Sequence, residues 1–220
     1  MPVCPVRGSV IYPTMVMPID AGRPISIRAI DEALARDRVL LIVSQRDKEV
    51  ETPRPSDLFE VGTACNILKM RKNPDGSVQV LVQAFARVRV REWLDLGDHL
   101  EARGEVLADE PGEPILVKAL VREVKDKFQA LLKEGKYLAP EVAQFILNLE
   151  DPSQLADYVA FHMDFRLEDK QKVLATANVA ERLRAVLVLL EAEPALLETQ
   201  RRTQQHLLQW LARLPVAQAE

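Results

Sequence analysis

The five residues Glu110-Pro-Gly-Glu-Pro114 separate two stretches whose apolar residues recur with different periods. Before them, short apolar runs and alternations are punctuated by proline and glycine; after them, apolar residues return every three to four positions. A period of two puts side chains on one face of a strand, and a period of 3.6 puts them on one face of a helix. The chain is therefore expected to be α+β. Residues 1–114 form a β-rich part with one helix, residues 115–192 an all-α helical bundle, and residues 193–220 a long C-terminal helix and tail.

In the first part, Val39-Leu-Leu-Ile-Val43 reads as a buried strand. Val61 to Lys72 and Ser77 to Val82 flank Asn73-Pro-Asp-Gly76, a hairpin turn, and Ala84 to Glu92 and Leu100 to Leu107 give two more strands. Ser26 is placed to cap a helix carrying Ile27, Ile30 and Leu34 on one face. The polar stretch from Ser44 to Ser56 reads as a loop. Pro5 to Pro24 reads as two short strands that the prolines keep out of ordinary central sheet. Together these elements predict a small β-barrel or curled, mostly antiparallel sheet.

In the second part, Leu116, Leu120, Val124, Phe128 and Leu131 share the inner face of a helix from about Ile115 to Lys133, which Gly135 can end. Further helices are expected at Pro140–Leu149, from Asp151 as cap with Pro152 behind it, at Leu167–Ala175, and from Asn178 through Glu191. A last helix from Pro194 carries a stripe from Leu197 to Leu214, which with Trp210 either docks on the bundle or meets a partner.

Several functions are argued against. Residues 1–118 hold 16 Lys and Arg against 18 Asp and Glu, and the remainder 13 against 15, so neither half carries a nucleic-acid footprint. Cys4 and Cys65 are too few for a disulfide framework and read as reduced thiols. His99, His162 and His206 lie far apart without ligand partners, so no metal site is expected. No phosphate loop and no Gly-x-Ser-x-Gly turn is present, so neither cofactor nor catalytic residue is assigned. Asp157 and Glu168 are the best acid/base pair the chain offers, and a poor one. With no membrane-spanning stretch or leader pattern, a cytoplasmic protein is expected.

The candidate contacts are apolar. Tyr12, Met15, Met17 and Pro18 cluster in the opening stretch, and Met70 and Phe85 are similar candidates. An adaptable apolar surface on a rigid frame suits a binder of many polypeptides. The alternative is barrel core, and alternation gives Met15 and Met17 the same side of a strand. Arg87, Arg89 and Arg91 form a row on one strand. They contact an anionic client, or else lie on a solvated face with carboxylates across the ladder.

These motifs resemble the N-terminal region of the Lon family of ATP-dependent proteases. The residues that carry the resemblance are Pro5-Val-Arg7, Pro13-Thr-Met15, Pro18, Gly22-Arg23, Asp57-Leu-Phe-Glu-Val-Gly-Thr63, Pro74-Asp-Gly76 and Arg87. Asp151-Pro-Ser-Gln-Leu-Ala-Asp157, Lys170-Gln171 and Val179-Ala-Glu-Arg-Leu183 continue it to about residue 191. The resemblance implies a barrel of the pseudouridine-synthase-and-archaeosine-transglycosylase (PUA) type followed by a helical bundle. It implies capture of unfolded or damaged polypeptides for quality control and ATP-dependent proteolysis. The partners would be those clients, Lon ATPase and protease domains, or a second copy of the chain. Gln83-Ala84 stands where the family usually has Glu-Gly. From Glu191 on, the expected Tyr-Leu-Arg-Glu-Gln-like stretch, Walker motif and Ser-Lys dyad are missing, which sets the expectation of a stand-alone domain. RNA binding through the PUA-type barrel and an adaptor role through the C-terminal helices are the alternatives.

Overall fold

The computed structural model describes residues 1–133 and 138–192. Six strands, β1 (Pro2–Val6), β2 (Val16–Ala21), β3 (Val39–Ser44), β4 (Val61–Lys72), β5 (Val78–Asp95) and β6 (Leu100–Val106), form one sheet in the order β2-β5-β4-β3-β1-β6. The sheet curls until β6 pairs with β5 as well as β1, while β2 stays outside as an edge. It is thus a curled sheet with an open edge, not a barrel closed all round. The pairings are antiparallel except β1 with β3. Helix α1 (Pro24–Ala35) buries Ala29, Ile30 and Ala33.

The prolines sit where a missing N–H is tolerated. Pro18 lies on β2, which pairs only with β5. Pro5 pairs with Val43 of β3, but the β6 ladder reaches only Pro2 and Val3, and the Pro5 carbonyl accepts from Arg23 at 2.7 Å. Two local expectations are corrected. Helix α1 begins at Pro24, whose ring presets the helical φ, so Ser26 falls inside the first turn, buried, instead of capping it. The strands expected at 77–82 and 84–92 are one strand of 18 residues. Bulges absorb the irregularity: Cys65 faces Ala84 and Ala64 faces Ala86, leaving Phe85 extra on β5; Ile67 faces Val82 and Lys69 faces Leu81, leaving Leu68 extra on β4.

The helices are α2 (Pro114–Lys133), α3 (Pro140–Leu147), α4 (Pro152–His162), α5 (Leu167–Ala175) and α6 (residues 179–192). The sequence-level starts hold: Asp151 accepts from the Gln154 N–H at 2.9 Å, and Asn178 from the Glu181 N–H at 3.1 Å. Leu120, Val124, Phe128 and Leu131 are buried as their spacing requires. The stop at Gly135, the Leu197–Leu214 stripe and Trp210 lie outside the described residues.

Sheet and helices share a core. Val10, Tyr12, Met15 and Val61 join Val124, Phe128, Leu155 and Leu183 in one cluster, while two smaller clusters line the sheet itself. A buried charge network closes the same junction. Arg87 of β5, 3% exposed, donates to both oxygens of Asp157 of α4 at 2.5 and 2.6 Å, to the Leu174 carbonyl at 3.1 Å and to Asp109 at 3.2 Å. Arg182 of α6, fully buried, donates to Asp109, Ser153 and the carbonyls of Thr176 and Ala177. The Leu174 and Thr176 carbonyls stand at the C-terminal end of α5, where cations suit unpaired carbonyls.

Two stability measurements follow. A Cβ on Gly62 would stand 2.6 Å from the Ile42 carbonyl oxygen and 2.7 Å from Val43 Cγ2. Gly62→Ala should therefore lower the unfolding free energy in urea by roughly 2 kcal/mol, because the backbone of β3 cannot yield; an unchanged midpoint would refute that packing. Arg87→Met leaves the Asp157 carboxylate only the Arg182 guanidinium at 3.8 Å and should cost about 3–5 kcal/mol. Adding Asp157→Leu should restore part of that loss, whereas additive costs in the double variant would show that the two side chains do not depend on each other.

Candidate functional site

The structure divides the apolar residues singled out in the sequence. Tyr12 and Met15 lie inside the shared core, fully buried and 4% exposed. The Tyr12 hydroxyl donates to the Lys170 carbonyl at 2.8 Å, and burial holds its pKa well above the usual phenol value. Met17 and Met70 are half-buried against the cluster inside the sheet. Met15 precedes β2 and joins the core shared with the helices, whereas Met17 on β2 packs against the cluster inside the sheet, so the two serve different clusters. Only Pro18 and Phe85, the latter 47% exposed, present surface outright. A patch made of all six side chains does not exist.

The apolar surface that does exist uses residues the sequence reading missed. Val16, 53% exposed, and Pro18 face outward on β2, and their partners on β5 are Gln83 and Leu81. Leu81 in turn faces Lys69 of β4. The two bulges add Phe85 and Leu68, each about half exposed. The alternation Met15-Val16-Met17-Pro18 carried a signal, since inward methionines imply outward Val16 and Pro18. The bulges left none, because a bulge is set by the register of two strands far apart in sequence.

The arginine row separates as well. Arg87 points into the helices, so neither a client contact nor a solvated face describes it. Arg89 is half-buried and Arg91 exposed; they line a crevice of about 460 Å³ with Arg46 and Phe59, whose ring lies 4.6 Å beneath the Arg46 guanidinium. Arg91, the extra residue at a bulge between Val90 and Glu92, pairs with Glu105 on β6, whose partner in register is Arg89.

Asp157 is held by Arg87 and Arg182, and Glu168 is an exposed first-turn residue of α5, so they form no acid/base pair. Burial pushes the Cys4 thiol up to about 11 and the Cys65 thiol higher still. Cys4 pairs with Ile42 and Cys65 with Leu40. Strand β3 therefore stands between them, about two strand spacings, which is too far for a disulfide. His99 bridges Asp98 and Glu101 at 2.7 and 3.3 Å. Among the described residues no cluster of potential metal ligands occurs, and no helix is long and apolar enough to cross a membrane.

Two crevices open where the sheet meets the helices. One, of about 270 Å³, lies between Phe85, Pro13 and Val106 on the sheet side and Gln154 of α4. Thr14 on its wall has φ of 69°, a costly conformation for a β-branched residue, held by its N–H bond to the Ala84 carbonyl at 2.9 Å. The second, of about 560 Å³, is mainly apolar and runs between Pro111 and Pro114, Val117 and Val121 of α2, and Val179 of α6. Asp109, Asp151 and Ser153 border both.

Residues 1–192 match the sequence model of the ATP-dependent protease La (LON) substrate-binding domain. The chain is 98% identical over 205 residues to Lon protease 2 of Thermus thermophilus, covering 93% of this chain and 26% of that protein. It is 38% identical over 202 residues to the Lon protease of Escherichia coli K12, again covering 26% of the relative. A 205-residue match reaches past residue 192, so at least part of the tail read as departing from the family is shared with one of its members. Among solved structures, the N-terminal domain of a Mycobacterium avium complex Lon protease superposes with a TM-score of 0.70 at 26% identity, over 86% of this chain and 97% of that one. A Lon N-terminal domain protein from Xanthomonas campestris, 14% identical with a TM-score of 0.56, shares the fold. The chain thus spans about a quarter of the length of its curated relatives, and it belongs to the family of Lon substrate-binding domains.

Proposed function

We propose that this chain is a non-enzymatic, polypeptide-binding module that recognises exposed apolar segments of unfolded or damaged proteins, and that it serves cytoplasmic quality control by ATP-dependent proteolysis. The observation that carries this reading is the outward apolar surface formed by Val16, Pro18, Leu81 and Phe85 on the outer side of the sheet. A folded client hides such segments, so apolar exposure by itself separates damaged from native protein. Family membership as a substrate-binding domain supports the same reading.

The surface is small and shallow, so each contact is weak. Several apolar segments on one client, or several copies of the module, would raise the avidity. Lon ATPase and protease domains, or further copies of the chain, are the partners that would supply that multiplicity. A PUA-type frame, with residues 1–114 and 115–192 acting as one rigid unit, suits such a role because a preformed surface loses little entropy on binding.

Fluorescence titration with a reduced, carboxymethylated client and with its native form tests the reading. The denatured client should bind and the native form should not. The double variant Val16→Ser, Phe85→Ser should weaken the denatured client roughly tenfold, the loss expected for about half of two apolar side chains. Its urea midpoint should stay close to that of the parent, because both side chains are half exposed. Equal binding of native and denatured client would sink the proposal.

A further inference from the structure

The two crevices at the sheet–helix junction meet at a saddle bordered by Asp109, Asp151 and Ser153. Resting on the polypeptide-binding reading above, we propose that one extended client segment crosses this saddle, with apolar side chains in both crevices and a Lys or Arg between them.

The charge of the saddle supports the basic residue. Asp109 and Asp157 are matched by Arg87 and Arg182 in the buried network, so they add no net charge. Asp151 and Glu150 remain. Asp151 gives one oxygen to the cap of α4, and Glu150 has no hydrogen-bond or ion-pair partner among the described residues. Apart from the buried Arg87, the one cation lining either crevice is Lys118, on the α2 wall. Asp151 borders both crevices, while Glu150 and Lys118 line only the larger one, so the surplus is one negative charge centred on the saddle, and a client cation there is favoured.

The walls are preformed. Glu110 exchanges two backbone hydrogen bonds with the start of α6, from its own N–H to the Ala177 carbonyl at 3.0 Å and from the Val179 N–H to its carbonyl at 2.9 Å. Gly112 lies so close to α6 that a Cβ would stand 2.6 Å from Ala180 Cβ. Val117 and Val121, one helical turn apart, line the larger crevice, and Phe85 lines the smaller. Pockets held open in this way accept apolar side chains without a closing step.

Fluorescence anisotropy with the full chain tests the assignment. Two labelled decapeptides carry apolar clusters on either side of a central residue, Lys in one and Glu in the other. The Lys peptide should bind about fivefold more tightly at low salt, with the preference shrinking as salt rises. Glu150→Lys should abolish or reverse the preference, and Val121→Asp should weaken both peptides. Equal affinities, or a preference that survives Glu150→Lys, would overturn the path across the saddle. If the denatured client binds and neither peptide does, the saddle is refuted while the polypeptide-binding reading stands. If the denatured client also fails, that broader reading is lost as well.

Discussion

Arg87 carries a positive charge into the seam between sheet and helices, and the arrangement of that seam follows from the need to answer it. A buried guanidinium without acceptors would cost several kcal/mol, so each donor must meet an oxygen. Both oxygens of Asp157 accept from Nη2, Asp109 accepts from Nη1, and the Leu174 carbonyl at the end of α5 accepts from Nε. Arg182 repeats the pattern from α6. Burial pushes the Asp157 carboxyl up to about 6 while the two guanidiniums pull the other way. Such a network adds little net stability over an apolar seam of the same shape, but it penalises any other docking of the helices on the sheet. It joins β5, the β6–α2 loop, α4, the end of α5 and α6, segments drawn from both periodic regimes of the chain.

The surface proposed for binding depends on that docking. Phe85 reaches the junction crevice because α4 is held against β5 two residues further on, at Arg87. Gln171 of α5 secures the neighbouring strand through the Val61 carbonyl at 2.5 Å. The larger crevice exists only because α2, α4 and α6 converge on the loop that carries Asp109. The resulting surface is stiff. Its exposed side chains are Val16, Pro18 and Phe85, whose rotamers are few, while the flexible methionines turn inward. Selectivity among clients would then come from whether a segment is exposed and how its charges lie, not from remodelling of the surface.

Much of the frame was legible in the sequence, and the reasons are local. The hairpin at Asn73–Gly76, the caps at Asp151 and Asn178, and the buried stripe of α2 each rest on residues within one or two turns of each other. The site was legible only in part. Phe85 and Pro18 are exposed as a surface role requires, but Tyr12 and Met15 were not separable from surface residues, because an apolar side chain reads alike whether it faces a helix or solvent. Arg87 was misread in both alternatives. Alternation placed it in line with Arg89 and Arg91, and nothing nearby announces that Asp157, seventy residues on, waits to receive it.

By itself, then, the order of residues determined which segments become strands and which become helices, where most of the helices begin, and that no assembled set of catalytic or metal-binding side chains is written in consecutive spacing. Periodicity and capping act over a few residues and need no partner. The tertiary structure alone decided which apolar residues remain exposed, which arginine is buried, and that two crevices meet at Asp109, Asp151 and Ser153. Those outcomes depend on register between distant strands and on charges that meet only when the helices dock. Exposure and ion pairing belong to the packed assembly, and no single segment carries them.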